Sequence, residues 1–194
     1  MGLIESALHP DRKRQENWQR FSREVGGTYI FEGPSGGDEI HIPFMGHRLT
    51  VRTQTEGRAK RTVMSAKFSN DDLQFKIFGW GGRKVPEVGR DPYLNSEFPD
   101  LASRVKVEFN DAKKLTSFLA NAGLRESVLE APAYFTLEAK PASLSLDNRT
   151  HGSTDYGQIT DVDKLHAAFD LMKCALHGLE AIESVPEQRL LVAA

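Results

Sequence analysis

The chain has 194 residues, of which 39% are hydrophobic and 27% charged, and its net charge is −2. These values are ordinary for a globular protein and exclude a uniformly basic binder of nucleic acid or membranes, so any such attraction must come from a local patch. The lone cysteine, Cys174, excludes an intrachain disulfide and favours a reducing compartment. No run approaches the roughly 20 apolar residues that cross a bilayer. We therefore expect a cytoplasmic protein without a transmembrane segment.

The first predicted element is a helix from about Pro10 to Val25. Trp18 and Phe21 recur there at helical spacing, while charged residues occupy the other side. The pair Gly26-Gly27 ends the helix, because glycine adopts the left-handed conformation that closes helices. After the helix, apolar residues recur at every second position, and Thr28–Phe31 is predicted to be a short strand.

A hairpin follows, and its register can be predicted. With Met45-Gly46 as the turn, Ile42 lies opposite Leu49 and Ile40 opposite Val51, so these apolar side chains share one face. The other face carries polar and charged residues, namely Glu39, His41, Arg48, Thr50 and Arg52. His41 and His47 then lie on opposite faces and do not converge on one metal ion.

A second hairpin is predicted around a loop of residues 69–72. It would place Phe68 opposite Leu73, Ala66 opposite Phe75 and Met64 opposite Ile77, with polar residues on the other face, namely Ser65, Lys67, Gln74 and Lys76. The two hairpins predict an antiparallel meander with one apolar and one wet face. The apolar face needs a cover, because burial of each large side chain contributes about 1.5–3 kcal/mol.

Residues 79–99 are rich in glycine and proline, which indicates a long functional loop or a linker. The second half then alternates between strands and helices. The predicted elements are a strand at Arg104–Phe109, a helix at Asp111–Ala120, a helical turn at Leu124–Leu129, and strands at Tyr134–Ala139 and Ser143–Leu146.

The last helix is the clearest in the chain. Apolar residues recur at three–four spacing from Val162 to Leu179, and Thr160 with Asp163 is the predicted capping pair. We therefore predict an α+β fold, in which an antiparallel meander sheet packs against this long C-terminal amphipathic helix and the N-terminal helix. One domain is expected over residues 1–194, with a helix and sheet at about 10–80, the loop at about 79–99 and a second α+β half at about 100–185.

The second half resembles uncharacterised bacterial proteins. The resemblance rests on the run from Val105 to Ala131, in which a strand ends in Asn110-Asp111 and a helix follows, and on the later strand pair and terminal helix. It implies the same strand–Asn-Asp–helix–two-strand–helix arrangement and carries over no known activity. Asn110 or Asp111 also has a physical reason to be there, as a helix N-cap.

The last helix contains a candidate metal site. His166, Asp170, Cys174 and His177 are spaced by four, four and three residues, which places them along one side of a helix. Such side chains could bind Zn²⁺ or Fe²⁺. The alternative is that they line the border between core and solvent, with Cys174 as a small buried hydrophobe.

The wet sheet face is the candidate anion-binding site. From His47 to Arg90 the chain has ten lysines and arginines against four acids, an excess of six. The predicted registers place four of these cations on one face, near a loop that presents Trp80, and the four are Arg48, Arg52, Lys67 and Lys76. The surface could hold an anionic headgroup or a nucleic-acid backbone. The alternative is that these cations solvate an exposed sheet face and prevent aggregation.

Three functions are consistent with these features. The first is a non-catalytic binding or regulatory module, because no group of residues forms a recognisable catalytic centre. The second is binding of anions or a membrane surface through the basic face, and the third is a metal protein or enzyme that uses the last helix. No cofactor is predicted, and the candidate partners are another protein or an anionic surface.

Overall fold

The structure is a computed structural model, and it describes residues 10–31, 37–56, 59–68, 73–79, 84–87, 90–131, 134–148 and 158–183. Its helices are α1 Pro10–Glu24, α2 Pro92–Glu97, α3 Pro99–Ala102, α4 Ala112–Leu119, α5 Ala122–Glu130 and α6 Val162–Glu183. None of these described helices has both the length and the apolar character required to cross a membrane.

The strands form one antiparallel sheet. They are β1 Thr28–Phe31, β2 Asp38–Phe44, β3 His47–Glu56, β4 Ala59–Lys67, β5 Phe75–Gly79, β6 Val105–Phe109, β7 Phe135–Lys140 and β8 Ser143–Asp147. The order across the sheet is β1-β2-β3-β4-β8-β7-β5-β6. The predicted α+β class is confirmed, and both halves of the chain contribute strands to the same sheet.

The predicted register of the first hairpin is confirmed. Ile42 pairs with Leu49 and Ile40 with Val51. At the turn, Met45 has a φ of 51° and Gly46 a φ of 77°. Positive φ at both central residues is the signature of a type I′ turn, whose twist matches that of the flanking strands.

The predicted second hairpin is wrong, because β4 and β5 are not neighbours. The β7–β8 hairpin lies between them, so Ala66 pairs with Leu144, while Phe75 pairs with Ala139. Alternation of apolar and polar residues determines which face a side chain occupies but not which strand lies alongside. The faces are therefore as predicted: Lys67 and Lys76 remain on the same side of the sheet.

Helices α1, α4, α5 and α6 cover the apolar face of the sheet, and their inward residues form one continuous core with it. The predicted stripe on α6 is buried: Leu165, Met172 and Leu176 are fully inaccessible. Phe169 lies between aromatic rings of α1 and β2, with its centroid 6.0 Å from that of Phe21 and 6.3 Å from that of Phe44.

Two local predictions need correction, and one open alternative is resolved. The cap of α6 is Asp161, whose carboxylate accepts the backbone N–H groups of residues 163 and 164 at 3.1 Å, and not the pair Thr160 and Asp163. The segment 79–99 contains α2 and the start of α3, because proline suits the first turn of a helix as well as a loop. Of the two candidates before α4, Asp111 is the cap, and it accepts the N–H of Lys114 at 2.9 Å.

A buried polar network ties α1 to one end of the covered face. The Arg14 guanidinium lies 2.5 Å from the carboxylate of Asp38, and their side chains are 9% and 0% exposed. The Tyr29 hydroxyl donates to the other oxygen of Asp38. Burial raises the pKa of Tyr29 far above its usual value, and the hydrogen bond to Asp38 raises it further.

This pKa shift predicts a loss of stability at high pH. Unfolded tyrosine loses its proton above about pH 10, whereas folded Tyr29 keeps it, so the free energy of unfolding falls as the pH rises above that value. Tyr29→Phe should cost about 1 kcal/mol at neutral pH, because one hydrogen bond is lost, and should make the alkaline decline shallower. Urea midpoints from pH 8 to 11 test this, and parallel curves for the two proteins would contradict it.

Candidate ligand-binding groove

The face of the sheet opposite the helices is hollowed into a groove of about 700 Å³. Its floor consists of short side chains from the central strands, including Val63, Ser65, Thr136 and Ser145. Long side chains surround this floor, namely Arg52, Gln54, Arg61, Lys76, Lys106, Glu108 and Lys140. We call this feature the sheet groove. Its volume lies within the range of about 300–1,000 Å³ that is usual for small-molecule sites.

Strand pairing places the residues of this face, Thr50 and groove-lining residues among them, in rows that run across the strands. One row follows the order Arg52, Val63, Asp147, Thr136, Phe78, Lys106, and the next follows Thr50, Ser65, Ser145, Glu138, Lys76, Glu108. Each row spans six strands. At a strand spacing of about 4.8 Å, its ends are roughly 24 Å apart along the sheet.

The sheet groove has a positive balance of charge. Five cations and three acids line it, whereas the whole chain has a net charge of −2. Three of the cations contact acids within the groove. The Arg61 guanidinium lies 2.8 Å from the Asp147 carboxylate, and the ammonium groups of Lys140 and Lys76 lie 3.0 Å and 3.9 Å from Glu138.

The two other cations, Arg52 and Lys106, are solvent-exposed and lie at opposite ends of one row. Neither forms an ion pair with any residue that the structure describes. Their charges are therefore solvated mainly by water. An incoming anion could contact these two cations without breaking an existing ion pair.

Aromatic residues line the end of the groove near β5 and β7. Phe78 is half-buried, and the Lys76 ammonium lies 5.0 Å from its ring centroid. Tyr134 also lines the groove and has a φ of 56°. Positive φ is unfavourable for a residue with a bulky side chain, and such strain is concentrated at functional sites. Next to these rings, Phe135 packs so closely on Gly79 that any Cβ there would overlap its ring.

Two of the five predicted anion-binding residues, Arg52 and Lys76, line the groove. Arg48 and Lys67 are exposed on strands β3 and β4 and are not among its lining residues. Trp80 lies outside the described residues.

Sequence reasoning missed Arg61, Lys106 and Lys140, together with all three acids of the groove. Most of these residues belong to β6, β7 and β8. Their polar positions alternate with apolar ones, but the sequence does not show that those strands extend the same face.

The structure does not bring the four predicted metal-binding residues together. His166 binds Glu24 of α1 at 2.7 Å, Cys174 accepts from Ser127 of α5 at 3.4 Å, and the ring of His177 packs against Phe44. Asp170 pairs with Lys173 at 2.5 Å. In the part of the chain that the structure describes, no group of three or more potential ligands is placed to hold a metal ion.

His41 and His47 lie on opposite faces, as predicted. His41 contacts Glu39 on the open face, whereas His47 lies on the covered face and binds Glu180 of α6 at 2.9 Å.

The chain matches no protein-family model, no curated protein and no solved structure. The resemblance of its second half to uncharacterised bacterial proteins therefore stays a prediction.

Proposed function

We propose that this protein is a non-catalytic binding module that holds an anionic ligand in the sheet groove. The observation that carries the proposal is a half-enclosed volume of about 700 Å³ with a surplus of two positive charges, in a chain that is negative overall. Cations that only solvate a sheet face need not surround a hollow. Here they surround a floor of short side chains, which leaves room for a ligand.

The composition of the groove favours binding over catalysis. The described residues that line it include neither histidine nor cysteine, the side chains that most often supply a base or a nucleophile near neutral pH. Its cations and acids are instead arranged as hydrogen-bonding groups around a cavity. Arginine and lysine bind phosphate and carboxylate groups in this way.

The proposal predicts that charge reversal in the groove weakens binding to an anionic support more than the same reversal elsewhere. The groove variant is Arg52→Glu with Lys106→Glu. The control is Lys13→Glu with Lys113→Glu, which changes the charge equally at two exposed residues of α1 and α4. We expect the groove variant to leave phosphocellulose at clearly lower salt than the control, because the cations that contact phosphate are gone.

Equal retention of the two variants would contradict the proposal, because retention would then follow net charge alone. Circular dichroism should show unchanged secondary structure in both variants, since all four side chains are exposed.

A further inference from the structure

We propose that the ligand of the sheet groove is a nucleoside di- or triphosphate, with its phosphates at Arg52 and Arg61 and its base against Phe78. This inference rests on the anion-binding function proposed above. It follows from the order of chemical groups along the groove: both arginines at one end, hydroxyls and carboxylates in the middle, and aromatic rings together with Lys76 and Lys106 towards the other end.

The end that holds both arginines lies on β3 and β4. Arg52 pairs with Val63, and Gln54 pairs with Arg61, so the two arginines are diagonal neighbours about 7–8 Å apart at the backbone. Asp147 holds the Arg61 guanidinium in a defined orientation, while Arg52 is exposed. Guanidinium groups bind phosphate with two parallel hydrogen bonds. This end therefore suits a phosphate chain.

The aromatic end lies on β5 and β7. Phe78 and Tyr134 present partly exposed rings to the groove. Stacking of a base on an aromatic ring favours binding and does not require a particular base. From Val63 on β4 to Phe78 on β5 the row crosses three strand spacings, or roughly 14 Å. A single phosphate attached to the sugar would not reach the arginines from there, whereas a chain of two or three phosphates extends towards them.

The middle of the groove distinguishes a nucleotide from a phosphate polymer. Asp147, Thr136, Ser145 and Glu138 lie between the two ends. Carboxylate and hydroxyl oxygens accept hydrogen bonds from sugar hydroxyls, whereas a phosphate polymer has no donor to offer them. The same two acids disfavour a membrane surface, because anionic lipids are attracted by a uniformly basic patch.

Isothermal titration with ATP, AMP, adenosine and inorganic tripolyphosphate tests the inference. We expect ATP to bind at least tenfold more tightly than any of the other three, because only ATP occupies both ends. Phe78→Leu should weaken ATP binding about tenfold and leave tripolyphosphate binding unchanged, since only stacking is lost. Arg52→Gln should weaken both. The matched control is Phe31→Leu, at an exposed aromatic of β1 that does not line the groove.

The outcomes separate this inference from the proposed function. Equal affinity for ATP and tripolyphosphate would overturn the nucleotide and leave an anion-binding groove. Binding only to a single-stranded oligonucleotide, or only to phosphatidylserine vesicles, would also overturn the nucleotide. If none of these anions binds, both proposals fail. Should Phe78→Leu not fold by circular dichroism, Tyr134→Leu supplies the same comparison at the second ring.

Discussion

Asp38→Ala is expected to lower the free energy of unfolding by about 3–5 kcal/mol, because it removes the buried carboxylate that lies 2.5 Å from the Arg14 guanidinium. Asp38 is 1% exposed and Arg14 8% exposed, so water does not replace the lost partner. The Tyr29 hydroxyl loses its acceptor in the same variant. Urea denaturation followed by circular dichroism measures the change.

The control for this variant is Asp170→Ala on α6. Asp170 also pairs with a cation, Lys173 at 2.5 Å, but these side chains are 52% and 33% exposed. An exposed pair contributes at most about 1 kcal/mol. Similar losses for Asp38→Ala and Asp170→Ala would contradict the assignment of the Arg14–Asp38 pair to the core. Replacing both partners, as Arg14→Met with Asp38→Leu, should cost less than Asp38→Ala because no buried charge remains.

Phe169→Ala is expected to lower the free energy of unfolding by about 3–5 kcal/mol, because the transfer energy of the ring is lost and a cavity is left in the core. Phe169 is 6% exposed and makes edge contacts with Phe21 and Phe44, so its removal loosens α1, α6 and β2 together. The matched control is Phe31→Ala. Because Phe31 is 52% exposed, its replacement should lower the free energy of unfolding much less. An unchanged urea midpoint together with lost self-association in gel filtration would show that α6 packs against a second copy instead.

The sequence predicted the structural features that depend on residues close together in the chain. Period-two alternation and a turn with two positive φ angles determine the register of the β2–β3 hairpin, since any slip by one residue would expose Ile40 and Ile42. In the same way, three–four spacing predicted the buried stripe of α6. Both are confirmed because a local pattern admits one low-energy arrangement.

The neighbours of β4 could not be predicted in this way. Its apolar residue Ala66 pairs equally well with an apolar residue of β5 or of β8, and the chain adopts the pairing with Leu144 of β8. The β7–β8 hairpin is inserted between β4 and β5 as a unit, and no local sequence pattern in β4 predicts this insertion. The proximity of the next strand along the chain favours the wrong neighbour.

The same division applies to the candidate site. Alternation alone placed Arg52 and Lys76 on the wet face, and both line the groove. Only the tertiary structure brought Arg61 beside Asp147 and Lys76 beside Glu138, because the first two residues are 86 positions apart in the chain and the second two lie on separate strands, β5 and β7. The sequence thus determined which side chains face water. The insertion of β7 and β8 determined that they surround a groove with acids at its centre, since contacts between distant strands depend on the whole sheet and not on any local pattern.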